Sequence, residues 1–298
     1  MRDYDSANKI KRIACGPNVD DYHWTREVMD KVKHHAQGIS LHYYTIPGDT
    51  WEHKGSATQF DTKEYYKTIA KAYRIEELIN NHIAVMNSIN PQQWVQLIVD
   101  EWGTWYDVEP GTNPGFLYQQ NTMRDAMVAA LTLNIFNKHS DRIMMANIAQ
   151  TVNVLQAMIL TDAEKMVLTP TYYVFKMFKE HQNNMLLGSF ITSDTIESKE
   201  AKRSCPMLIE SASIDENGVI YSTIANVSDK KPAKIKCQIA DRKIKSIKAE
   251  ILCGDIHDKN DFENGDNVKI EEFTDFRQLK DGFTATLPAC SVVKFIIE

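Results

Sequence analysis

The sequence predicts two regions of different fold class, an α/β region followed by an all-β region. Over residues 1–182, apolar runs of strand length alternate with amphipathic helical segments, which is typical of a parallel sheet with helical crossovers. From about residue 185, short alternating runs separated by turn residues replace that pattern and indicate a β-sandwich of roughly 110 residues. We therefore predict two domains, residues 1–184 and residues 185–298.

The α/β region contains four predicted strands and four predicted helices. Apolar residues at helical spacing mark the helices, and Thr25 is a candidate N-cap of the first helix. Asn90 and Pro91 end the second helix, because a residue that precedes proline avoids the helical conformation. The predicted strands lie at residues 11–15, 38–44, within 94–107, and 142–150. The predicted helices cover about residues 24–35, 61–90, 121–138 and 170–182.

The third predicted strand, in WVQLIVDEWGTWYD (residues 94–107), organises the α/β region. Its two faces are largely apolar, as in a parallel strand covered on both sides, and it ends in Asp100 and Glu101. Strict alternation places Glu101 on the face of Val99 and Asp100 on the other face. In an α/β barrel, such a strand end carries the chemistry, and the aromatic residues at 102, 105 and 106 suit sugar rings. A helix-capping acid beside core tryptophans is the alternative interpretation.

Composition excludes several classes of partner. The 298 residues carry a formal net charge of −6, which gives no reason to expect nucleic acid or an anionic membrane surface. No apolar run reaches the length that spans a bilayer. The first residues, MRDYDSANKIKR, are polar and charged, and we do not expect them to be a secretory signal.

The five cysteines are scattered, odd in number and without a C-x-x-C spacing. This pattern argues against a disulfide framework or a zinc site. It fits reduced thiols, so we expect a cytoplasmic protein.

Four separated motifs occur in order along the chain: SLHYYTIPGDTWEHKGSAT, VDEWGTWY, ANIAQTVNVLQAMI and LPACSVVKFIIE. Together they closely resemble glycoside hydrolase family 51, the α-L-arabinofuranosidases, from about residue 11 to the C-terminus. The resemblance implies a (β/α)8 barrel followed by a β-sandwich of jelly-roll type. It also implies a retaining glycosidase that removes terminal arabinofuranosyl groups from arabinan or arabinoxylan, with no metal and no organic cofactor.

The same resemblance assigns roles to individual residues. Glu101 matches the catalytic nucleophile, which attacks the anomeric carbon to form a glycosyl-enzyme. Tyr44 matches a tyrosine that hydrogen-bonds this nucleophile, Gln150 matches a glutamine that hydrogen-bonds the arabinose, and Trp105 matches an aromatic wall of the subsite. Gly103 stands where the family usually has asparagine, which removes a side-chain amide near the site.

Two further residues keep two interpretations each. His42 shares the face of Tyr44 by alternation, and it is either a buried structural histidine or a substrate contact. Trp51, in the WEHKG loop, is either a second aromatic wall or a packing residue under that loop.

The second carboxyl group of a retaining glycosidase is not matched in this sequence. That acid/base lies roughly 5–5.5 Å from the nucleophile, and the family carries it in a Gly-Asn-Glu motif that occurs nowhere here. The first strand matches the family's fifth, so we expect strands 5–8 of a partial barrel. A full barrel needs roughly 250 residues. Five other acids lie near strand exits, but none is in the acid/base context: Asp20, Asp21, Glu52, Glu64 and Glu109.

Half a barrel leaves two sheet edges and an apolar face open to water, and such surfaces associate with a partner. We therefore expect either a complementing N-terminal half or a homo-oligomer. Two functions follow. The first is an α-L-arabinofuranosidase that is weakly active or inactive alone. The second is a non-catalytic fragment that folds and at most binds arabinose-containing glycans through Trp51 and Trp105.

Overall fold

The computed structural model describes residues 3–5 and 7–298. Its α/β region is a four-stranded sheet in the order β1-β2-β3-β4, and all neighbouring strands are parallel. The elements follow the predicted alternation, with bounds that differ by a few residues. The strands are β1 (Ile13–Ala14), β2 (Gly38–Thr45), β3 (Gln96–Thr104) and β4 (Ile143–Ile148). The helices are α1 (Tyr22–Val32), α2 (Thr62–Ile89), α3 (Met123–Lys138) and α4 (Pro170–Phe178).

Short polar side chains cap all four of these helices, as expected for groups that accept from unpaired helix N–H donors. Asp61 accepts from the backbone N–H of Glu64 at the start of α2. Thr122 and Asp125 form a reciprocal capping box at the start of α3. The predicted cap of α1 was wrong. Asp21 accepts from Trp24 N at 2.8 Å, and α1 begins at Tyr22. The Thr25 hydroxyl is buried against His82 Nδ1 at 2.8 Å.

The two faces of the four-stranded sheet differ in burial. One face packs against the helices in the larger hydrophobic core, which includes Leu41 and Val99. The opposite face is open at both outer strands, where Ile13 and Met145 are 39% and 44% exposed. The sheet is therefore covered on one side and partly solvated on the other.

The rest of the chain is β-structure. A hairpin of β5 (Ile159–Asp162) and β6 (Lys165–Leu168), absent from the sequence prediction, precedes α4. The following strands are β7 (Met185–Leu187), β8 (Thr195–Ser198), β9 (Arg203–Pro206), β10 (Leu208–Ile214), β11 (Ile220–Asn226), β12 (Ala233–Gln238), β13 (Ile247–Cys253), β14 (Glu271–Glu272), β15 (Phe276–Gln278), β16 (Gly282–Leu287) and β17 (Ser291–Ile297).

Two of the sheets form a β-sandwich, as the sequence predicted, whereas β8 and β9 pair in a separate two-stranded sheet. One sheet has the order β14-β13-β17-β11-β10-β7, and a second has the order β12-β16-β15. Phe283 and Phe295 pack between them with ring centroids 4.3 Å apart. The sandwich also contacts the helices directly, since the Tyr65 hydroxyl donates to Val227 O at 3.0 Å and Asn134 Nδ2 donates to Ile209 O at 3.0 Å.

Among residues 3–5 and 7–298, no helix combines the length and apolar character needed to cross a membrane. All five cysteines fall in this described part and are free thiols. The same residues contain no group of three or more histidine, cysteine or acidic side chains arranged to hold a metal ion.

Candidate functional site

A β-bulge at Asp100 decides which way Glu101 points. Leu41 pairs with Val99, but the next residue, His42, pairs with Glu101, so Asp100 is an extra residue in β3. Paired residues of parallel strands project to the same side, and successive residues alternate. Glu101 therefore lies on the face opposite Val99. The prediction that these two residues share a face was wrong, because the bulge breaks the period of two.

Two side chains of β2 approach the Glu101 carboxylate. The Tyr44 hydroxyl donates to Glu101 Oε2 at 2.8 Å, and His42 Nδ1 lies 3.6 Å from the same oxygen. His42 is 39% exposed, so it is not the buried histidine of one interpretation. Burial raises the pKa of Tyr44, and the bond to Glu101 raises it further, so the phenol keeps its proton. The tyrosine is therefore the hydrogen-bond donor of this pair, and the glutamate oxygen is the acceptor.

Two tryptophans extend this site as an aromatic wall. The Trp105 ring meets Tyr44 edge-on with centroids 4.9 Å apart, and Trp51 meets Trp105 edge-on at 5.4 Å. Trp51 remains 49% exposed, so its ring is presented to solvent and not packed beneath its loop. The four residues Glu101, Tyr44, Trp105 and Trp51 form one continuous chain of contacts.

Gln150 lies two residues beyond β4, whose last residue, Ile148, pairs with Trp102. It is exposed at the carboxyl edge of the sheet, and the Ala149–Gln150 peptide bond is cis. In the described part of the chain, no hydrogen bond joins its side chain to Glu101. The structure therefore places Gln150 at the same edge as Glu101, with no hydrogen bond between the two side chains.

A buried polar network holds the end of β3 beneath the site. Asp125 Oδ1 accepts from the hydroxyls of Thr104 and Tyr106 at 2.6 and 2.9 Å, and Oδ2 accepts from Thr122 N at 2.8 Å. Burial raises the pKa of Asp125, although Arg124 and these donors oppose the shift. Gln156 Oε1 accepts from Thr104 N at 2.8 Å. Sequence reasoning missed this network, although the spacing of Thr122 and Asp125 is a capping-box signal.

Arg124 is a second residue that the sequence did not reveal. Its side chain is fully buried between the rings of Phe60 and Tyr106, with the guanidinium carbon 3.7 and 4.1 Å from the ring centroids. It donates to Ser56 O and Ala57 O, and its Nη1 lies 3.3 Å from Glu64 Oε1. Nothing in the local pattern marked it, because an arginine in a first helical turn is usually exposed.

Gly103 takes a conformation that favours glycine. Its φ is +138°, and a Cβ atom built there lies 3.1 Å from Gln156 Oε1. A side chain here meets both an unfavourable backbone angle and a buried amide. The absence of asparagine at this position therefore has a local structural reason.

The other acids near the strand exits have separate structural roles or lie in solvent. Their positions are as follows: Asp20 pairs with Arg74, Asp21 caps α1, Glu64 pairs with Arg124, Glu109 accepts from Gln120 N, and Glu52 is exposed. Within the described residues, no hydrogen bond or ion pair joins any of them to the Glu101 carboxylate.

Comparison with known proteins gives consistent matches. The family model described as the α-L-arabinofuranosidase C-terminal domain matches residues 100–291. An intracellular exo-α-L-arabinofuranosidase of Bacteroides ovatus is 44% identical over 299 residues, which cover 100% of this chain and 57% of that protein.

Solved structures agree. A family 51 arabinofuranosidase from Xanthomonas axonopodis pv. citri superposes with a TM-score of 0.95 and 39% identity, covering 99% of this chain and 59% of that one. An α-L-arabinofuranosidase from Thermotoga maritima, solved as an arabinose complex, gives 0.81 and 25%, covering 97% and 58%. The chain thus spans somewhat more than half the length of the relatives it matches.

These relatives and solved structures are all named as arabinofuranosidases. Because the family model covers more than half of the 298 residues, the protein belongs to the α-L-arabinofuranosidase C-terminal domain family. The resemblance seen in the four sequence motifs is confirmed.

Proposed function

We propose that this chain supplies the nucleophile half of a retaining α-L-arabinofuranosidase, with Glu101 as the nucleophile. Glu101 Oε forms a bond to the anomeric carbon of a terminal arabinofuranosyl group, and the bond from that carbon to the leaving oxygen breaks. The leaving oxygen departs with the electron pair and takes a proton from the acid/base. Water then attacks the anomeric carbon and gives a proton to the deprotonated acid/base, the bond from that carbon to Glu101 Oε breaks, and arabinose and the Glu101 carboxylate are released.

The observation that carries this proposal is the 2.8 Å hydrogen bond from Tyr44 to Glu101 beneath an exposed aromatic wall. A nucleophile must be aimed at the anomeric carbon, and the Tyr44 hydroxyl, which keeps its proton, holds Glu101 by donating to it. The Trp105 and Trp51 rings offer apolar surface to a sugar. His42 and Gln150 lie near enough to this edge to serve as polar contacts to the substrate hydroxyls.

We also propose that residues 1–184 are strands 5–8 of a (β/α)8 barrel and that residues 185–298 are a jelly-roll domain. Four parallel strands with helices on one face support the first assignment. The second is supported by β7, whose first residue is Met185 and which pairs with β10 of the sandwich.

In this proposal, the acid/base carboxyl comes from polypeptide outside these 298 residues. A groove of about 910 Å³ runs beside β4, and its lining includes Met145, Ile159 and Phe175. The curated relative is longer than this chain, which covers 57% of it. We assign the groove and the open face to that additional length, because unpaired edges and apolar surface are stabilised by a covering partner.

The proposed substrates are arabinans, arabinoxylans and their oligosaccharides, and the proposed location is the cytoplasm. The relative from Bacteroides ovatus is named as an intracellular exo-acting enzyme, and that from Acetivibrio thermocellus as acting on α-(1→5) linkages. The free cysteines fit a reducing compartment.

Covalent trapping tests the proposal on the chain itself. An aryl arabinofuranoside with a dinitrophenolate leaving group needs little acid assistance, so it can glycosylate Glu101 without the acid/base. We expect mass spectrometry to find one arabinofuranosyl group on the peptide that contains Glu101. Glu101→Gln should take up none, and Glu109→Gln should label like the native chain. An unlabelled native chain, alone and with the complement described below, would contradict the proposal.

The complement is the N-terminal part of the Bacteroides ovatus relative that lies outside the alignment. Light scattering should show a one-to-one complex, and the mixture should hydrolyse unactivated arabino-oligosaccharides. A homodimer that excludes this fragment would instead identify a second copy of the chain as the partner. Binding of an arabino-oligosaccharide without labelling or turnover would favour the non-catalytic alternative. One observation supports that alternative: among the described residues, no hydrogen bond joins another of the acids near the strand exits to Glu101.

A further inference from the structure

Asp107 binds the loop that carries Trp51. It lies just beyond β3, and its carboxylate accepts two consecutive backbone N–H groups of the preceding loop. Lys54 N lies 3.2 Å from Oδ1 and Gly55 N lies 3.1 Å from Oδ2. The backbone closes the pairing, since Asp107 N donates to Gly55 O at 2.9 Å. This is a three-bond clamp between two loops at the carboxyl edge of the sheet.

Lys54 links Asp107 to Trp51, because its ammonium group contacts both residues. Its Nζ lies 3.7 Å from Asp107 Oδ1 and donates to the Trp51 carbonyl oxygen at 2.9 Å. The lysine side chain is only 16% exposed, so little water competes for these contacts. Bonds of this kind, with a charged partner, are stronger than neutral ones. The backbone of Trp51 is therefore tied to Asp107 through one lysine.

The other end of the same loop is held independently. Arg124 is fully buried and donates to Ser56 O and Ala57 O at 2.8 and 3.1 Å. The guanidinium also stacks on Phe60, whose other partner is the His257 ring at a centroid distance of 4.4 Å. The base of the loop is thus fixed by α3 and by the β-sandwich, independently of Asp107.

We infer that Asp107 is a positioning residue for the aromatic wall. Through Lys54 it sets Trp51 edge-on to Trp105, and Trp105 in turn contacts Tyr44. Among the described residues, no hydrogen bond or ion pair joins it to Glu101 or Tyr44, so we assign it no part in bond making. Its role in substrate binding rests on the proposed function, whereas its role in placing Trp51 does not.

The placement of Trp51 has an optical signature that needs no catalysis. Two indole rings 5.4 Å apart at 78° couple their electronic transitions, which gives a paired positive and negative band in far-ultraviolet circular dichroism. Trp51→Phe and Trp105→Phe each remove one partner and so identify that couplet. We expect Asp107→Ala to reduce the couplet to the level of Trp51→Phe. Asp107→Ala should still unfold in one cooperative transition in urea, because the buried base of the loop is intact.

Asp49→Ala is the matched control. Asp49 lies in the same loop, is 81% exposed, and its carboxylate pairs with Lys67 at 2.7 Å. It removes the same charge without touching the clamp, and exposed pairs contribute little to stability. We expect a native couplet. An undiminished couplet in Asp107→Ala, or an equal loss in Asp49→Ala, would overturn the inference.

Kinetics of the complemented enzyme test the binding role. Asp107→Ala should raise KM for an arabino-oligosaccharide about 3- to 10-fold, since an ordered aromatic contact contributes roughly 0.5–1.5 kcal/mol. The kcat for an activated aryl arabinofuranoside should stay native, because Glu101 and Tyr44 are untouched. A lost couplet with unchanged KM would refute the binding role. Failure of the complemented native enzyme to turn over counts against the proposed function, and the couplet still decides what Asp107 does.

Discussion

Tyr44 and Glu101 are 57 residues apart in sequence, yet the tyrosine hydroxyl lies 2.8 Å from the glutamate Oε2. Their strands are adjacent and parallel, and the bulge in β3 brings both side chains to the same face. The donor in this bond is Tyr44, whose pKa is raised, and the acceptor is a carboxyl oxygen of Glu101. In the proposed function, it is the contact that holds the nucleophile.

Tyr44→Phe removes this bond without adding volume. A hydrogen bond to a charged group contributes about 1.5–3 kcal/mol, so the rate at which Glu101 is labelled should fall roughly 10- to 100-fold. Tyr43→Phe is the control, because that hydroxyl donates to Lys71 O at 2.6 Å on the other side of the sheet. It should label at the native rate. Equal rates for Tyr44→Phe and the native chain would show that the bond does not assist the nucleophile.

Gly103→Ala should destabilise the chain by about 2–4 kcal/mol in urea unfolding. The substitution combines a strained backbone angle with a contact to Gln156. Gly111→Ala separates the two effects, since Gly111 also has a positive φ of +82° but a Cβ there meets nothing within 4 Å. It should cost only about 1 kcal/mol. If both variants lose a similar free energy of unfolding, the Gln156 side chain moves aside at little energetic cost.

Asp125→Ala should destabilise by about 3–5 kcal/mol, because it leaves the Thr104 and Tyr106 hydroxyls and the Thr122 N–H without their acceptor in a buried site. The free energy of unfolding from urea titration is the measurement. Asp162→Ala, at an exposed position, should change stability by less than about 0.5 kcal/mol. Comparable values for the two variants would contradict the structural role of the network.

His181 should make the chain sensitive to acid. Burial, and secondarily the nearby Lys294, lower the pKa of His181 to about 4. Its ring contacts the hydroxyls of Ser213 and Thr223 at 2.8 and 3.1 Å. Between about pH 6.5 and 4 the unfolded chain binds a proton that the folded chain does not. The free energy of unfolding therefore decreases as the pH is lowered through this range, by up to roughly 3 kcal/mol.

The check is urea unfolding of the native chain and of His181→Gln at pH 7 and pH 4.5. The glutamine variant keeps a hydrogen-bonding side chain but cannot titrate. Its stability should decline less than that of the native chain over this interval. Identical declines would assign the acid sensitivity to other groups.

Periodicity predicted those elements that are long enough to display it. α2 runs from Thr62 to Ile89, within a residue of the predicted 61–90. The hairpin of β5 and β6 was missed because each strand has four residues, too few to establish a period. The Asp100 bulge was missed for a different reason. A bulge is a property of two paired strands, and one strand's sequence does not contain it.

Much the same holds for the site. Glu101, Tyr44 and Trp105 were identified by resemblance to a family, and the structure brings those three residues together. Asp107 was not identified, because its partners are backbone amides 53 and 52 residues earlier in the chain, which leave no side-chain pattern to read.

The extra residue in β3 has a consequence for how this strand varies among relatives. Asp100 stands outside the pairing of β2 and β3, so a one-residue deletion there would restore regular pairing and leave Glu101 opposite His42, on the same face as before. Pairing Asp100 with β2 without shortening the strand would instead turn Glu101 toward the helix layer. Relatives can therefore lack a residue at this point and still direct the carboxylate to the same side.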